Sequence, residues 1–179
     1  SCALDNLAGL SYRMKNRFRW YSDNNKLNNI VGPTAFEIKM KNNKLSTKSI
    51  ISLDSGKYNF DEVCYLSITK QLNNCSNVFK KITFSSMPTL HVQYKREYHE
   101  TLTGIRITFD SELRFFDAIM NNMPINIEAR EFNFHVVELK FFPENLPAVA
   151  KLIKGAGVTP VRHSKYLRGL SLFNYIKYL

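Results

Sequence analysis

Antiparallel strands curling into a barrel or tunnel, with helices packed outside, make up the α+β fold that this sequence predicts. Three observations predict it. Segment after segment places Arg or Lys on one parity and apolar residues on the other, which in a strand means opposite faces. A smaller number of segments run at helical spacing instead. The 179 residues carry 25 Lys+Arg against 15 Asp+Glu, a formal net charge of +10, and the cations are spread along the alternating segments rather than gathered in one run. An excess of that size implies a polyanionic partner. At 44% hydrophobic and 13% aromatic residues, the chain is too apolar to be disordered, and its length suits a single domain over residues 1–179. No apolar run is long enough to span a bilayer and no secretory signal opens the chain. The first residue is Ser1 rather than Met, which reads as a fragment boundary. Cys2, Cys64 and Cys75 are odd in number and lack metal-ligand spacing, so free thiols and a cytoplasmic location are expected.

Residues 12–21 alternate strictly, with Arg13, Lys15, Arg17 and Arg19 opposite Met14, Phe18 and Trp20. Residues 22–33 read as a loop ending in Gly32-Pro33. A second strand over 35–41 sets Glu37, Lys39 and Lys41 against Phe36, Ile38 and Met40, and Thr47–Ile51 reads as a third. From Asn59 to about Leu72 the period changes to that of a helix, with Asn59 as N-cap and Asp61-Glu62 in the first turn. Strands return at 79–84, 90–98 and 104–110, the last two joined by a hairpin at 100–103. Tyr94, Arg96 and Tyr98 share one face, and Arg106 and Thr108 lie opposite Ile105, Ile107 and Phe109. Residues 111–120 read as a short helix or turn and 124–131 as an edge strand. A strand over 133–142 carries Glu138 and Lys140 on one face and stops at Pro143. Pro147–Lys154 reads as a helix closed by Gly155, and a terminal helix runs from Ser164 to about Tyr178.

Arg17, Arg19, Lys39, Lys48, Arg96, Arg106 and Lys140 come from separate segments. If the strands curl with these faces inward, the cations line a positive channel and the apolar faces turn outward beneath the helices. Such a lining repels itself and loses hydration when empty. A linear chain of phosphates would relieve that cost through charge-assisted hydrogen bonds, for which the planar Arg fork is well shaped. Single-stranded nucleic acid is disfavoured, because its binders place aromatics beside the cations, whereas Phe18, Trp20, Phe36 and Phe109 lie opposite them. His91, His99, His135 and His163 show no metal spacing, and no P-loop is present.

Six short motifs in order along the chain resemble the vacuolar transporter chaperone (VTC) domain, the polyphosphate polymerase branch of the triphosphate tunnel metalloenzymes. Asp5-Asn6 through Gly9, Ser11 and Arg13, continuing to Lys15, Arg17 and Arg19-Trp20-Tyr21, is similar to the family's opening motif. Phe36-Glu37-Ile38-Lys39 with Lys48 resembles its "L-E-x-K…K" strand. Tyr94-Lys95-Arg96 and Arg106–Asp110 resemble its "Y-x-R" and "R-x-T-x-D" hairpin. Val137–Lys140 and Ser164-Lys165-Tyr166 resemble its "x-E-x-K" strand and "S-K-Y". The resemblance implies a triphosphate tunnel binding ATP, triphosphate or inorganic polyphosphate, with a terminal phosphate transferred from ATP to a growing chain. It implies phosphate binding by Arg17, Arg19, Lys39, Lys48, Tyr94, Arg96, Arg106, Lys140 and Lys165. Glu138 would hold Mn²⁺ or Mg²⁺, and Glu138 and Lys165 would be the catalytic pair. The same resemblance implies a membrane-protein partner in a larger assembly, with the cytoplasmic face of a membrane as a second location. The family's first strand, with alternating Glu and Lys or Arg, does not precede Ser1, so a barrel open at one edge is expected. Two alternatives stand beside the polymerase: a non-catalytic polyphosphate- or nucleotide-binding module, and a triphosphatase.

Overall fold

A computed structural model describes residues 12–21, 29–30, 34–43, 45–53, 58–59, 88–118 and 128–178. Two compact units emerge, one from Ser1–Thr89 with Ala118–Asn126, the other from Leu90–Asp117 with Ile127–Leu179. Their strands are antiparallel throughout. The expected helix over 59–72 and strand over 79–84 lie outside the described residues beyond Asn59.

In the first unit, β1 (Tyr12–Arg19), β3 (Thr34–Asn42) and β4 (Leu45–Leu53) form a three-stranded sheet in the order β1-β3-β4. Alternation dictates which residues go under. Phe36 and Ile38 are buried with Met14, Phe18 and Ile51 packed against them, and register sets Phe18, Phe36 and Ile51 directly opposite one another. Burying each such side chain contributes about 1.5–3 kcal/mol. The segment read as a loop over 22–33 contains a two-residue strand, β2 (Asn29–Ile30), which pairs with β5 (Tyr58–Asn59).

In the second unit, β6 (Leu90–Glu100), β7 (Arg106–Asp117) and β8 (Arg130–Phe132) pair in that order, and β9 (Val136–Lys140) also pairs with β7. The β6–β7 turn is closed by Thr101 and Ile105, with Gly104 at φ 78, where a side chain would be strained. The helix or turn expected over 111–120 is instead the second half of β7. The alternation breaks there because the register jumps from Gln93↔Arg114 to Lys95↔Ser111, a bulge on β7 with Glu112 at φ 51. The bulge decides the character of the sheet face. It lets Asp110 and Phe115, which differ in parity, share the face of Val92 and Arg96, so one face is polar at one end and apolar at the other.

β9 is shorter than the strand expected over 133–142, beginning only at Val136. A 3-10 turn (Pro143–Asn145) leads into α1 (Leu146–Gly155), and the residue taking the left-handed conformation after it is Gly157 at φ 64, not Gly155. The terminal helix α2 spans Lys165–Leu172 rather than reaching Tyr178; Asn174 at φ 61 follows its end. The Ser164 hydroxyl caps it, accepting from the Leu167 N–H at 3.4 Å. α2 packs on the apolar end of the same face that carries the cations, so helices do not cover only the outward apolar faces as expected. Gly169 permits the approach: a Cβ there would meet the Leu90 side chain and lie 2.6 Å from the Phe115 ring. Among the described residues the sheets are open, and no closed barrel is found.

Candidate functional site

Cross-strand register in the first unit puts Arg17, Arg19, Lys39 and Lys48 on one face. Lys15, Lys39 and Lys48 stand directly opposite one another across three strands, a like-charge row that destabilises an isolated sheet. Glu37 lies next to that row and is buried. Arg17 donates to it through Nε at 2.9 Å and also through Nη2, Lys48 Nζ is 3.0 Å away, and Arg19 Nη1 is 3.6 Å away. Burial pushes the Glu37 carboxyl up, but the bonds from Arg17 and Lys48 outweigh it and hold the group below the usual carboxylate range. The cations stay wet, with the Arg17 side chain 52% and Lys48 42% exposed.

The second unit gathers the remaining candidates on one face of its sheet. Register aligns Tyr98, Thr108 and Glu138 in one row, then Glu100, Arg106 and Lys140 in the next. Beside them Arg96 faces Asp110 across the hairpin. Asp110 is completely buried. Arg96 grips it bidentately, Nε to Oδ1 at 2.5 Å and Nη2 to Oδ2 at 2.7 Å, and Lys165 Nζ contacts the same Oδ2. Burial raises the Asp110 carboxyl, and the Arg96 and Lys165 bonds more than reverse this, so its pKa is lowered. Arg96 is held further toward its charged form, chiefly by Asp110. Both cations also lie over the Tyr94 ring, Arg96 at 5.1 Å and Lys165 at 5.0 Å, where the π face favours positive charge.

Lys165 sits in the first turn of α2, where the helix dipole disfavours a cation, and Asp110 offsets this. The start of α2 is tied down from behind. Tyr178 Oη accepts from the Ser164 N–H at 3.1 Å and donates to the Arg162 carbonyl at 3.3 Å. Arg168 lies between the Phe132 and Tyr178 rings, 5.3 Å from each.

Glu138 is 45% exposed and its Oε1 is 3.2 Å from Lys140 Nζ. Its register partner Thr108 is buried with an Oγ1 that has no hydrogen-bond partner among the described residues. Glu138 and Thr108, cross-strand partners, each carry hard oxygen donors of the type that Mg²⁺ and Mn²⁺ accept. Among the described residues no group of three or more His, Cys, Asp or Glu could hold a metal by itself. A cation at Glu138 would therefore depend on oxygens from its ligand. Sequence reasoning did not single out Glu37, Asp110 or Thr108 as site residues. Their signal was present: each is an uncharged or acidic residue in the cationic parity of its strand.

The VTC domain family model matches residues 2–174 of the chain. No curated protein matches it.

Proposed function

Since the chain belongs to the VTC domain family, a family related to polyphosphate polymerases, we propose that it binds inorganic polyphosphate and ATP on its cationic sheet faces and transfers phosphoryl groups between them. The observation that carries this reading is the second-unit face, where register collects Arg96, Arg106, Glu138 and Lys140, with Lys165 added from α2 and the Tyr94 ring against Arg96 and Lys165. Arg17, Arg19, Lys39 and Lys48 form a matching face in the first unit.

Phosphoryl transfer asks the protein mainly for positioning and charge neutralisation, and these residues are suited to both. Arg96 and Arg106 would hold successive phosphates through charge-assisted hydrogen bonds. Lys165, packed with Arg96 on Tyr94, would neutralise charge at the reacting phosphate. Glu138, with Thr108 beside it, would hold Mn²⁺ or Mg²⁺, which when bound supplies Lewis-acid neutralisation of phosphate oxygens. One observation favours a second reading, a non-catalytic polyphosphate-binding module: the Glu138 carboxylate is already ion-paired with Lys140.

Incubation of the full chain with ATP and Mn²⁺, followed by electrophoresis for polymer and assay of released phosphate, separates the two. The polymerase reading expects polymer, and it expects Glu138→Ala to abolish product while polyphosphate still raises Tm. Binding without any turnover in the wild-type chain would leave the module, and phosphate release without polymer would indicate a triphosphatase.

A further inference from the structure

We infer that Asp110 is a positioning residue for the phosphate site: it does not touch phosphate, but fixes Arg96 and Lys165 in one arrangement before ligand arrives. This rests on the reading of Arg96 and Lys165 as phosphate-binding groups. Arg96 comes from β6 and Lys165 from α2, and the two ammonium and guanidinium groups crowd over a single Tyr94 ring. Left alone, they repel. Asp110 Oδ2 accepts from both, so one oxygen atom sets their separation. Oδ1 takes Arg96 Nε and thereby fixes the plane of the guanidinium.

Burial makes the arrangement stiff. Asp110 is fully buried, while Arg96 and Lys165 are only 17% and 19% exposed. Water cannot readily substitute for either partner. The carboxylate accepts from Nε and Nη2 of the Arg96 fork, and the same guanidinium also hydrogen-bonds the Tyr98 side chain, so Asp110 is not its sole restraint. The bulge at Glu112 belongs to the same device, since it turns Asp110 toward Arg96 and Phe115 toward α2 on one face. An ammonium placed against the helix dipole would swing outward without its acceptor.

The test exploits a sign. Asp110→Asn removes a negative charge beside an anion site, so electrostatics alone would tighten tripolyphosphate binding. Positioning predicts the reverse, a Kd raised by roughly tenfold or more in calorimetric titration, as is usual when supporting groups around a site are lost. The dependence of Kd on salt should also become shallower, because fewer cations reach the ligand. Equal or tighter binding by a folded Asp110→Asn would overturn the inference and leave the functional reading standing. Absence of tripolyphosphate binding by the wild-type chain would overturn both. Should the variant not fold, the wild-type chain supplies the answer through the ¹⁵N-resolved Arg96 Hε signal. A slowly exchanging Hε that persists at saturating tripolyphosphate supports a carboxylate that stays in place; its loss on binding would show that phosphate displaces Asp110.

Discussion

Glu37 in the first unit and Asp110 in the second each sit buried among cations, yet the cations differ in their contact with water. Arg17 and Lys48 around Glu37 are about half solvated, whereas Arg96 and Lys165 around Asp110 are largely enclosed. The difference follows from what covers each sheet face. On the second unit's face, α2 and the Tyr94 ring close over the ion pair. In the first, Arg17 and Lys48 contact the carboxylate while keeping about half of their surface in water, and Arg19 at 25% exposure lies between the two cases. Hydrated long side chains retain rotamer freedom and pay less for an ion pair than they gain from it only narrowly. Enclosed ones are fixed, and their pairing energy is large in both directions. Taken separately, the first unit's face thus offers adaptable cations and the second unit's face preset ones.

Truncation of the two carboxylates should expose that contrast most strongly. Asp110→Ala strands two enclosed cations and should destabilise the second unit by about 3–5 kcal/mol. Glu37→Ala leaves cations that can turn to solvent, and a loss of about 1–2 kcal/mol is expected from the lost charge-assisted bonds. Urea unfolding of both variants measures this. Equal losses would erase the distinction between enclosed and hydrated clusters.

A smaller effect is expected from acid. Both carboxyls have folded pKa values below their unfolded ones, so the stability they add is complete above about pH 4.3. It is lost as pH falls through the folded values, since the unfolded chain takes up protons first. Tm recorded from pH 6 down to pH 2 should drop on the acid side, by about 2–4 °C for each kcal/mol lost. Asp110→Asn should flatten that limb more than Glu37→Gln does; the opposite order would sink the comparison.

Much of this was legible in the sequence. Period-2 patterning located β1, β3 and β9 because each sets apolar residues opposite charged ones, β4 and β6 were read from shorter segments over Thr47–Ile51 and residues 90–98, and register then brought together cations that alternation had already sorted. Asp110 and Glu37 were harder. Alternation assigns a side, but whether a carboxylate there is buried depends on how neighbouring side chains fold over it. The second half of β7 was missed because a bulge shifts parity at Glu112, and no local composition announces a bulge. The end of α2 was overestimated because Asn174 adopts a left-handed backbone that an amphipathic pattern through Tyr178 conceals. The direction of α2 onto the cationic face depended on one small residue, Gly169, whose role appears only when Phe115 is set against it.

The claim that these faces bind phosphate chains is tested most directly by calorimetric titration of tripolyphosphate into the wild-type chain and into Arg17→Ala and Arg96→Ala. Saturable binding is predicted, weakened in each variant by about 1.5–3 kcal/mol, the worth of a hydrogen bond to a charged group, with circular dichroism unchanged. A wild-type chain that yields no binding heat, or folded variants that bind as tightly as it does, would contradict the account.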